Sequence, residues 1–176
     1  MPKLSIQRIL SLDLRARRFG YAVFEGPHTL LDWGIRTHEN GERSLMEYRL
    51  DSLRSMFAPS IILVRKTKES HRVGQSMIGH GLRAVKAFAK RVMVVVRVID
   101  GSSLRKFFSE DAKVNKHDVA RMVADQFPEL SWRLPPKRKP WQTEPTRQSI
   151  FDAASLGVFY FAQQIEMPQA GILTKD

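Results

Sequence analysis

The 176-residue sequence has no cysteine, and it has no apolar run long enough to cross a membrane. Because disulfides and thiolate metal sites both require cysteine, this chain can form neither. Its longest apolar stretches fall well short of the roughly 20 residues that span a bilayer. Residues 1–10 also lack the apolar core of a secretion signal. We therefore expect a soluble, cytoplasmic protein with no membrane partner.

Acidic residues are scarce relative to basic ones: 18 Asp and Glu stand against 29 Lys and Arg, a formal net charge of +11. A surface this basic attracts polyanions and releases their condensed counterions on binding. Nucleic acid is the partner that this charge favours. The alternatives are an anionic membrane surface and a charge that serves solubility alone. With 43% hydrophobic residues, the chain has enough apolar content for one packed domain.

Short apolar segments alternate with amphipathic ones in a way that predicts a single α/β domain over residues 1–166, followed by a short tail at 167–176. Five segments are typical of β-strands: 8–14, 20–26, 29–37, 60–64 and 92–100. The first three are expected to form an antiparallel meander. The last two each follow a predicted helix and are rich in aliphatic residues, which is typical of buried parallel strands. The predicted architecture is a mixed five-stranded sheet with helices on both faces.

Helical spacing of apolar residues accounts for most of the remaining chain. Helices are predicted at 40–58, 73–91, 102–108, 115–127 and 149–166. Asn115 is a predicted N-cap. An apolar stripe that includes Met77 and Val85 belongs either to the core or to a dimer surface. The basic segment 128–147 contains five prolines, so we expect a loop there without helix or strand.

Two acidic residues stand at positions where α/β proteins often place functional groups. Asp13 ends the first predicted strand, and ligands of open α/β sheets bind at the carboxyl ends of strands. Asp152 lies near the start of the last helix. The structural alternatives are that Asp13 is simply solvated and that Asp152 stabilises the helix start, with Ser149 as N-cap.

Three stretches, in the same order along the chain, resemble the RuvC-type Holliday-junction resolvases of the RNase H-like superfamily. In "ILSLDLRARRFGYAVFE" an aspartate ends the first strand and a Gly-Tyr pair opens the second; "NKHDVARMV" and "FDAASLGVFYF" resemble two resolvase helices. The predicted order of elements is also that of an RNase H-like domain. The resemblance implies a homodimeric endonuclease for branched DNA, with a role in DNA recombination and repair.

The resemblance also implies a carboxylate site for two Mg²⁺ or Mn²⁺ ions, with Asp13 and Asp152 as catalytic metal ligands. Such ions prefer oxygen ligands, and a pair of them activates water and stabilises the leaving oxygen of a phosphodiester. The sequence departs from the family where a glutamate should end the fourth strand, because Arg65 and Lys66 stand there instead. Glu69 is our candidate for the missing carboxylate.

Basic residues near these acids, and in the segment 128–147, are expected to contact phosphates, while exposed indoles can stack on unpaired bases. The predicted nucleic-acid-binding residues are Arg15, Arg17, Arg18, Arg65, Lys66, Lys116, Arg133, Lys137, Arg138, Lys139 and Trp141. The alternative for Trp132 and Trp141 is that they pack the loop against the last helix.

The leading hypothesis is a Mg²⁺- or Mn²⁺-dependent endonuclease that hydrolyses phosphodiesters of branched DNA. One alternative is a catalytically degenerate RNase H-like protein that only binds nucleic acid, and another is a nuclease of structured RNA. The missing glutamate at the end of the fourth strand is the feature that separates the first two hypotheses. Arg65 or Lys66 in the space of a metal either neutralises the scissile phosphate or permanently occupies the site, and the sequence leaves both roles open.

Overall fold

The computed structural model of the protein describes residues 6–38, 43–66, 73–109 and 113–166, except for the side chains of 73–76 and 166. The strands are β1 (Arg8–Leu14), β2 (Arg18–Glu25), β3 (Leu30–Thr37), β4 (Ile61–Arg65) and β5 (Val95–Ile99). The α-helices are α1 (Arg43–Phe57), α2 (Val73–Arg91), α3 (Gly101–Phe108), α4 (Lys116–Gln126) and α5 (Gln148–Glu166), and a 3-10 helix spans Pro128–Arg133.

The five strands form one mixed sheet in the order β3-β2-β1-β4-β5. β1 pairs antiparallel with β2, and β2 pairs antiparallel with β3. β4 pairs parallel with both β1 and β5. The predicted sheet of three antiparallel strands followed by two parallel strands is therefore confirmed, and β1 lies at its centre.

Two apolar clusters form the core, one on each side of the sheet. Successive residues of a strand point to opposite faces: Ile9 contributes to the cluster that contains α4 and α5, whereas Leu10 contributes to the cluster that contains α1 and α2. Because β1 and β4 are covered on both faces, their sequences are almost continuously apolar. Helices thus pack on both faces of the sheet, as expected.

The predicted apolar stripe of α2 faces this second cluster. Val85 is buried in it, and Ile78 and Leu82 are partly buried against it. The core interpretation is confirmed for these three residues, whereas Met77 is half-buried and is not part of the cluster. The homodimer stays a prediction. None of the helices in the described ranges combines the length and apolarity that crossing a bilayer requires.

Two details of the predicted secondary structure are wrong. The 3-10 helix occupies the first six residues of the segment 128–147, where we expected neither helix nor strand; Pro128 suits its first turn and Leu130 is buried in the core. Ser149 is not an N-cap, because α5 already begins at Gln148. The loop that remains between the 3-10 helix and α5 covers residues 134–147.

Candidate nucleic-acid interface

The site lies where the end of β1 meets the first turn of α5. Asp13 is paired across the sheet with Gly20 of β2. A Cβ atom at Gly20 would lie 2.1 Å from the backbone oxygen of Ser149, so only glycine lets α5 approach this closely. As a result, the Ser149 hydroxyl donates a hydrogen bond of 2.7 Å to Asp13 Oδ2.

Asp13 and Asp152 come together as the sequence predicted, and Arg15 lies between them. Arg15 Nε donates to Asp13 Oδ2 at 2.6 Å, and its Nη2 donates to Asp152 Oδ2 at 2.8 Å. The two carboxylates are only 3% and 8% exposed. The alternative of a solvated Asp13 is therefore wrong. One guanidinium bridges two buried acids that come from opposite ends of the chain.

A third carboxylate, Glu144 of the loop 134–147, joins the same guanidinium. Its Oε1 accepts a hydrogen bond of 2.9 Å from Arg15 Nη2, and its Oε2 accepts one of 2.7 Å from Lys116 Nζ. Lys116 also donates to Asp152 Oδ2 at 3.1 Å. Asn115, the predicted N-cap of α4, forms a capping box with Asp118. This cap fixes the backbone at the first residue of α4, which is Lys116.

Sequence reasoning missed Glu144. The sequence did contain one signal for it: Glu144 is the one acidic residue in the basic segment 134–147. Its distance from Asp13 along the chain gave no reason to place the two residues in one site.

Arg65 occupies the end of β4, where the resemblance calls for a glutamate. Its Nη2 lies 3.4 Å from Asp13 Oδ1. We call the resulting group the ionic network; its members are three acids, Asp13, Glu144 and Asp152, and three cations, Arg15, Arg65 and Lys116. Opposite charges are equal in number, so the buried acids are neutralised by side chains of the chain itself.

The environment shifts the ionisation of two acids in the network. Burial and the nearby charge of Asp152 raise the pKa of Asp13 above its ordinary value, although Arg15 opposes this shift. Burial also acts to raise the pKa of Glu144. The hydrogen bond and charge of Lys116, together with the charges of Arg15 and Arg138, outweigh that effect, so the pKa of Glu144 lies below its ordinary value.

The donor set does not fit the two-metal centre that the resemblance implies. Both Oδ2 atoms of the aspartates already accept two hydrogen bonds each, from Arg15 and either Ser149 or Lys116. Within the described ranges, no group of three or more His, Asp or Glu side chains is arranged to hold a metal ion. Glu69, our candidate third ligand, lies outside the described residues.

Other predicted nucleic-acid-binding residues surround the ionic network. A cavity of ≈ 550 Å³ has Asp13, Arg15, Arg65, Lys66, Lys116 and Asp152 in its wall. Arg105 lines it as well and was not predicted. A second cavity of ≈ 250 Å³ lies between the start of α4 and the loop 134–147, where Lys137 and Arg138 line it together with Lys116. The loop therefore borders the site.

The remaining predicted contacts lie at the surface. Arg17, Lys66, Arg133 and Lys139 are exposed, whereas Arg18 is half-buried. Trp132 is 66% exposed and Trp141 is 77% exposed, so the alternative that they pack the loop against α5 is wrong. Each indole has a cation over its ring, Arg133 at 4.0 Å and Lys139 at 5.4 Å from the ring centroid.

The sheet order, the helices on both faces and a site at the end of β1 together define an RNase H-like domain. Comparison with solved structures gives the particular relatives. Thermus thermophilus RuvC in complex with a Holliday junction substrate superposes with a TM-score of 0.68 at 16% identity, covering 90% of this chain and 96% of that one. A second structure of Thermus thermophilus RuvC gives 0.68 at 15% identity, covering 91% and 97%.

The yeast mitochondrial Holliday junction resolvase Ydc2 is also similar, with a TM-score of 0.61 at 15% identity over 94% of this chain and 82% of that one. Neither the comparison with protein-family models nor that with curated protein sequences finds a match. At this level of identity the likeness is one of fold. The RuvC-like, RNase H-like fold that the sequence resemblance implied is therefore confirmed.

Proposed function

We propose that this protein binds branched DNA at the edge of the sheet where β1 and β4 end, and that it does so without a divalent metal. The observation that carries the proposal is the position of Arg15, whose guanidinium bridges Asp13 and Asp152. The Arg15 guanidinium occupies the space between the two aspartates, where a metal ion would bind. The side chains of Arg65 and Lys116 connect this site to the solvent.

The acids hold these cations in fixed positions while leaving part of each side chain open to solvent. Arg65 is 37% exposed and Lys116 is 46% exposed. A guanidinium or ammonium held in place loses little side-chain entropy when a phosphate arrives, and it adds a charge-assisted hydrogen bond. Together with the +11 net charge, this supports a phosphate-binding surface.

Branched DNA is favoured over plain duplex for two reasons. The fold is that of proteins whose solved structures include a Holliday junction complex, and the loop beside the site presents the exposed indole of Trp141. A role in DNA recombination or repair follows from that substrate. We also propose a homodimer, because a four-way junction presents equivalent arms to two protomers; sedimentation of the protein with and without junction tests this.

The second candidate is metal-dependent cleavage of branched DNA. The specific observation in its favour is that three carboxylates, Asp13, Glu144 and Asp152, all contact Arg15. If Arg15 left this position, three oxygen donors would face a common space. Cleavage would then require a substrate or an ion that displaces the guanidinium, and structured RNA is a further substrate class to include in the test.

The test mixes the purified full chain with a labelled four-way junction, a linear duplex of the same sequence and a structured RNA, in Mg²⁺, Mn²⁺ or chelator. We expect junction binding that is equal in chelator and in Mg²⁺, with no cleavage. Affinity should fall steeply between about 50 and 200 mM salt, because phosphate contacts release counterions.

Three results decide between the candidates. Binding of the junction in chelator, with DNA that stays intact in Mg²⁺ and Mn²⁺ as well, supports the proposal. Cleavage that disappears in the Asp13→Asn, Asp152→Asn double variant replaces it with the nuclease. An affinity that does not change with salt, or no binding to any of the three substrates, overturns both nucleic-acid hypotheses.

A further inference from the structure

The loop 134–147 contains a tight turn, Lys139–Gln142, that is closed by several hydrogen bonds. The Gln142 N–H donates to the Lys139 carbonyl at 3.0 Å, and the Lys139 N–H donates to Gln142 Oε1 at 2.9 Å. Arg138 Nη1 adds a bond of 2.8 Å to the Gln142 carbonyl. Pro140 fixes φ at the second position of the turn. The turn is therefore rigid.

Trp141 sits at the third position of this rigid turn and points into solvent. Its 77% exposure is unusual for the residue type with the largest apolar surface to bury. Lys139 Nζ lies 5.4 Å from the centroid of the indole, within the range of a cation–π contact. The turn thus presents an aromatic face and a positive charge side by side, and Trp141 does not serve the core.

Glu144 ties this turn to the ionic network. It lies three residues after Trp141, and its carboxylate is bonded to both Arg15 and Lys116. The turn therefore stands at a fixed distance from cations that we assign to phosphate binding. The cavity of ≈ 250 Å³ between them is lined by Lys116 and Arg138, among others. A ligand that spans both places needs a flat π-face and a nearby phosphate.

An unpaired nucleotide has both of these features. In a duplex each base is already stacked and paired, so its faces are not available to an indole. We propose that Trp141 and Lys139 form a stacking site for an unpaired base, whose strand continues towards Lys116. This inference rests on the proposed function and names the part of the DNA that the interface selects: unpaired bases, such as those at an open branch point or a gap.

The test compares wild type with Trp141→Ala and Trp141→Phe on two DNAs of equal length, a nicked duplex and the same duplex with a short single-stranded gap. Stacking on an indole is sequence-tolerant, so a thymine gap is suitable. We expect Trp141→Ala to weaken binding of the gapped DNA by about tenfold, equivalent to about 1.4 kcal/mol, and to leave the nicked duplex unchanged. Trp141→Phe should keep most of the affinity.

Trp132 provides a matched control, because it is exposed and has a cation over its ring but lies on the 3-10 helix outside the turn. Trp132→Ala should bind both DNAs like wild type. Equal affinity of wild type and Trp141→Ala for the gapped DNA overturns the stacking site, as does an equal loss on both DNAs. The four-way junction is included as a reference: if wild type binds the junction but not the gapped DNA, the stacking site alone is overturned, and if it binds none of the three DNAs, the proposed function itself has failed.

Discussion

The ionic network and the turn Lys139–Gln142 both contain cations that the sequence assigns to phosphate binding, yet the two regions use them differently. In the network, Arg15 lies 2.6 Å from Asp13 and 2.8 Å from Asp152, so its charge is shared with buried acids. In the turn, Lys139 lies over the ring of Trp141 at the surface. One region is neutral and partly buried, and the other is exposed and aromatic.

This difference shows that the net charge of the chain predicts attraction to nucleic acid but not the residues that contact it. The +11 charge predicts attraction to a polyanion at long range. It does not show which cations meet phosphate, because Arg15 and Lys116 have carboxylate partners inside the protein. The acids of the network fix the positions of its cations, whereas Lys139 of the turn lies over the ring of Trp141 at the surface.

The largest expected effect is on stability, from Arg15→Ala. Removing this cation leaves Asp13 and Asp152 buried and close together without the group that bridges them. Loss of one partner from a buried ion pair costs about 3 kcal/mol. We expect the free energy of unfolding, measured in urea, to fall by that amount.

The neighbouring Arg17→Ala serves as the control for that variant, since Arg17 is exposed and its loss should change stability little. Arg15→Ala also tests the reason for metal independence. With the guanidinium gone, Mn²⁺ should stabilise the variant against heat more than it stabilises wild type. An Arg15→Ala protein as stable as Arg17→Ala would show that the network contributes nothing to the fold.

A smaller effect is expected on DNA affinity, from Glu144→Gln. Glu144 is bonded to Arg15 and Lys116, so under the proposed function it competes with phosphate, and its neutralisation should free both cations. A partly exposed ion pair is worth about 1 kcal/mol, and we therefore expect junction binding to tighten by about fivefold. Fluorescence anisotropy with labelled junction measures this.

Glu129→Gln is the matched control for Glu144→Gln, because it changes the net charge equally on the exposed 3-10 helix, away from the network. It should tighten binding less. Equal gains in the two variants would indicate a general charge effect, and weaker binding in Glu144→Gln would indicate that the tether of the loop matters more than competition.

The smallest effect is on the pH dependence of stability. Because burial and Asp152 raise the pKa of Asp13, the folded state binds a proton that the unfolded state has already lost. The Asp13 contribution to the free energy of unfolding therefore decreases as pH rises through its folded pKa. Glu144 has a lowered pKa, so its contribution is present above its ordinary pKa and is lost as pH falls through the folded value.

Urea unfolding of wild type, Asp13→Asn and Glu144→Gln over a pH series measures the two contributions. As pH falls towards about 4, wild type should gain stability relative to Asp13→Asn and lose stability relative to Glu144→Gln. The same direction of change against both variants would contradict the opposite pKa shifts.

Much of the fold could be predicted from the sequence, because burial on both faces of β1 and β4 leaves a continuous apolar signal. The meeting of Asp13 and Asp152 could be predicted as well, from the order of the elements and the resemblance. The 3-10 helix at Pro128 was not predicted, because the segment 128–147 in which it lies is rich in proline and basic residues, as loops are. Of its six residues, Leu130 is the one that is buried in the core.

The electrostatic organisation of the site could not be predicted. Arg15 is two residues from Asp13 and lies just beyond the end of β1, but closeness along the chain says little about where a long side chain ends. Glu144 reaches the site through the path of a loop, and no local pattern encodes that path. The exposure of Trp141 depends on hydrogen bonds within one turn, which composition cannot distinguish from a turn that packs against a helix.

The close contact between Gly20 and Ser149 has a practical consequence for protein engineering. It lets α5 approach β2 closely because residue 20 has no Cβ atom, and no charged residue takes part in the contact. We therefore expect charge exchanges at the site, for example Arg65→Glu with Arg15→Gly, to retain this backbone distance, while the loss of Arg15 lowers the free energy of unfolding as stated above. The domain is a scaffold in which the assembly of a hydrolytic centre can be attempted one charge at a time.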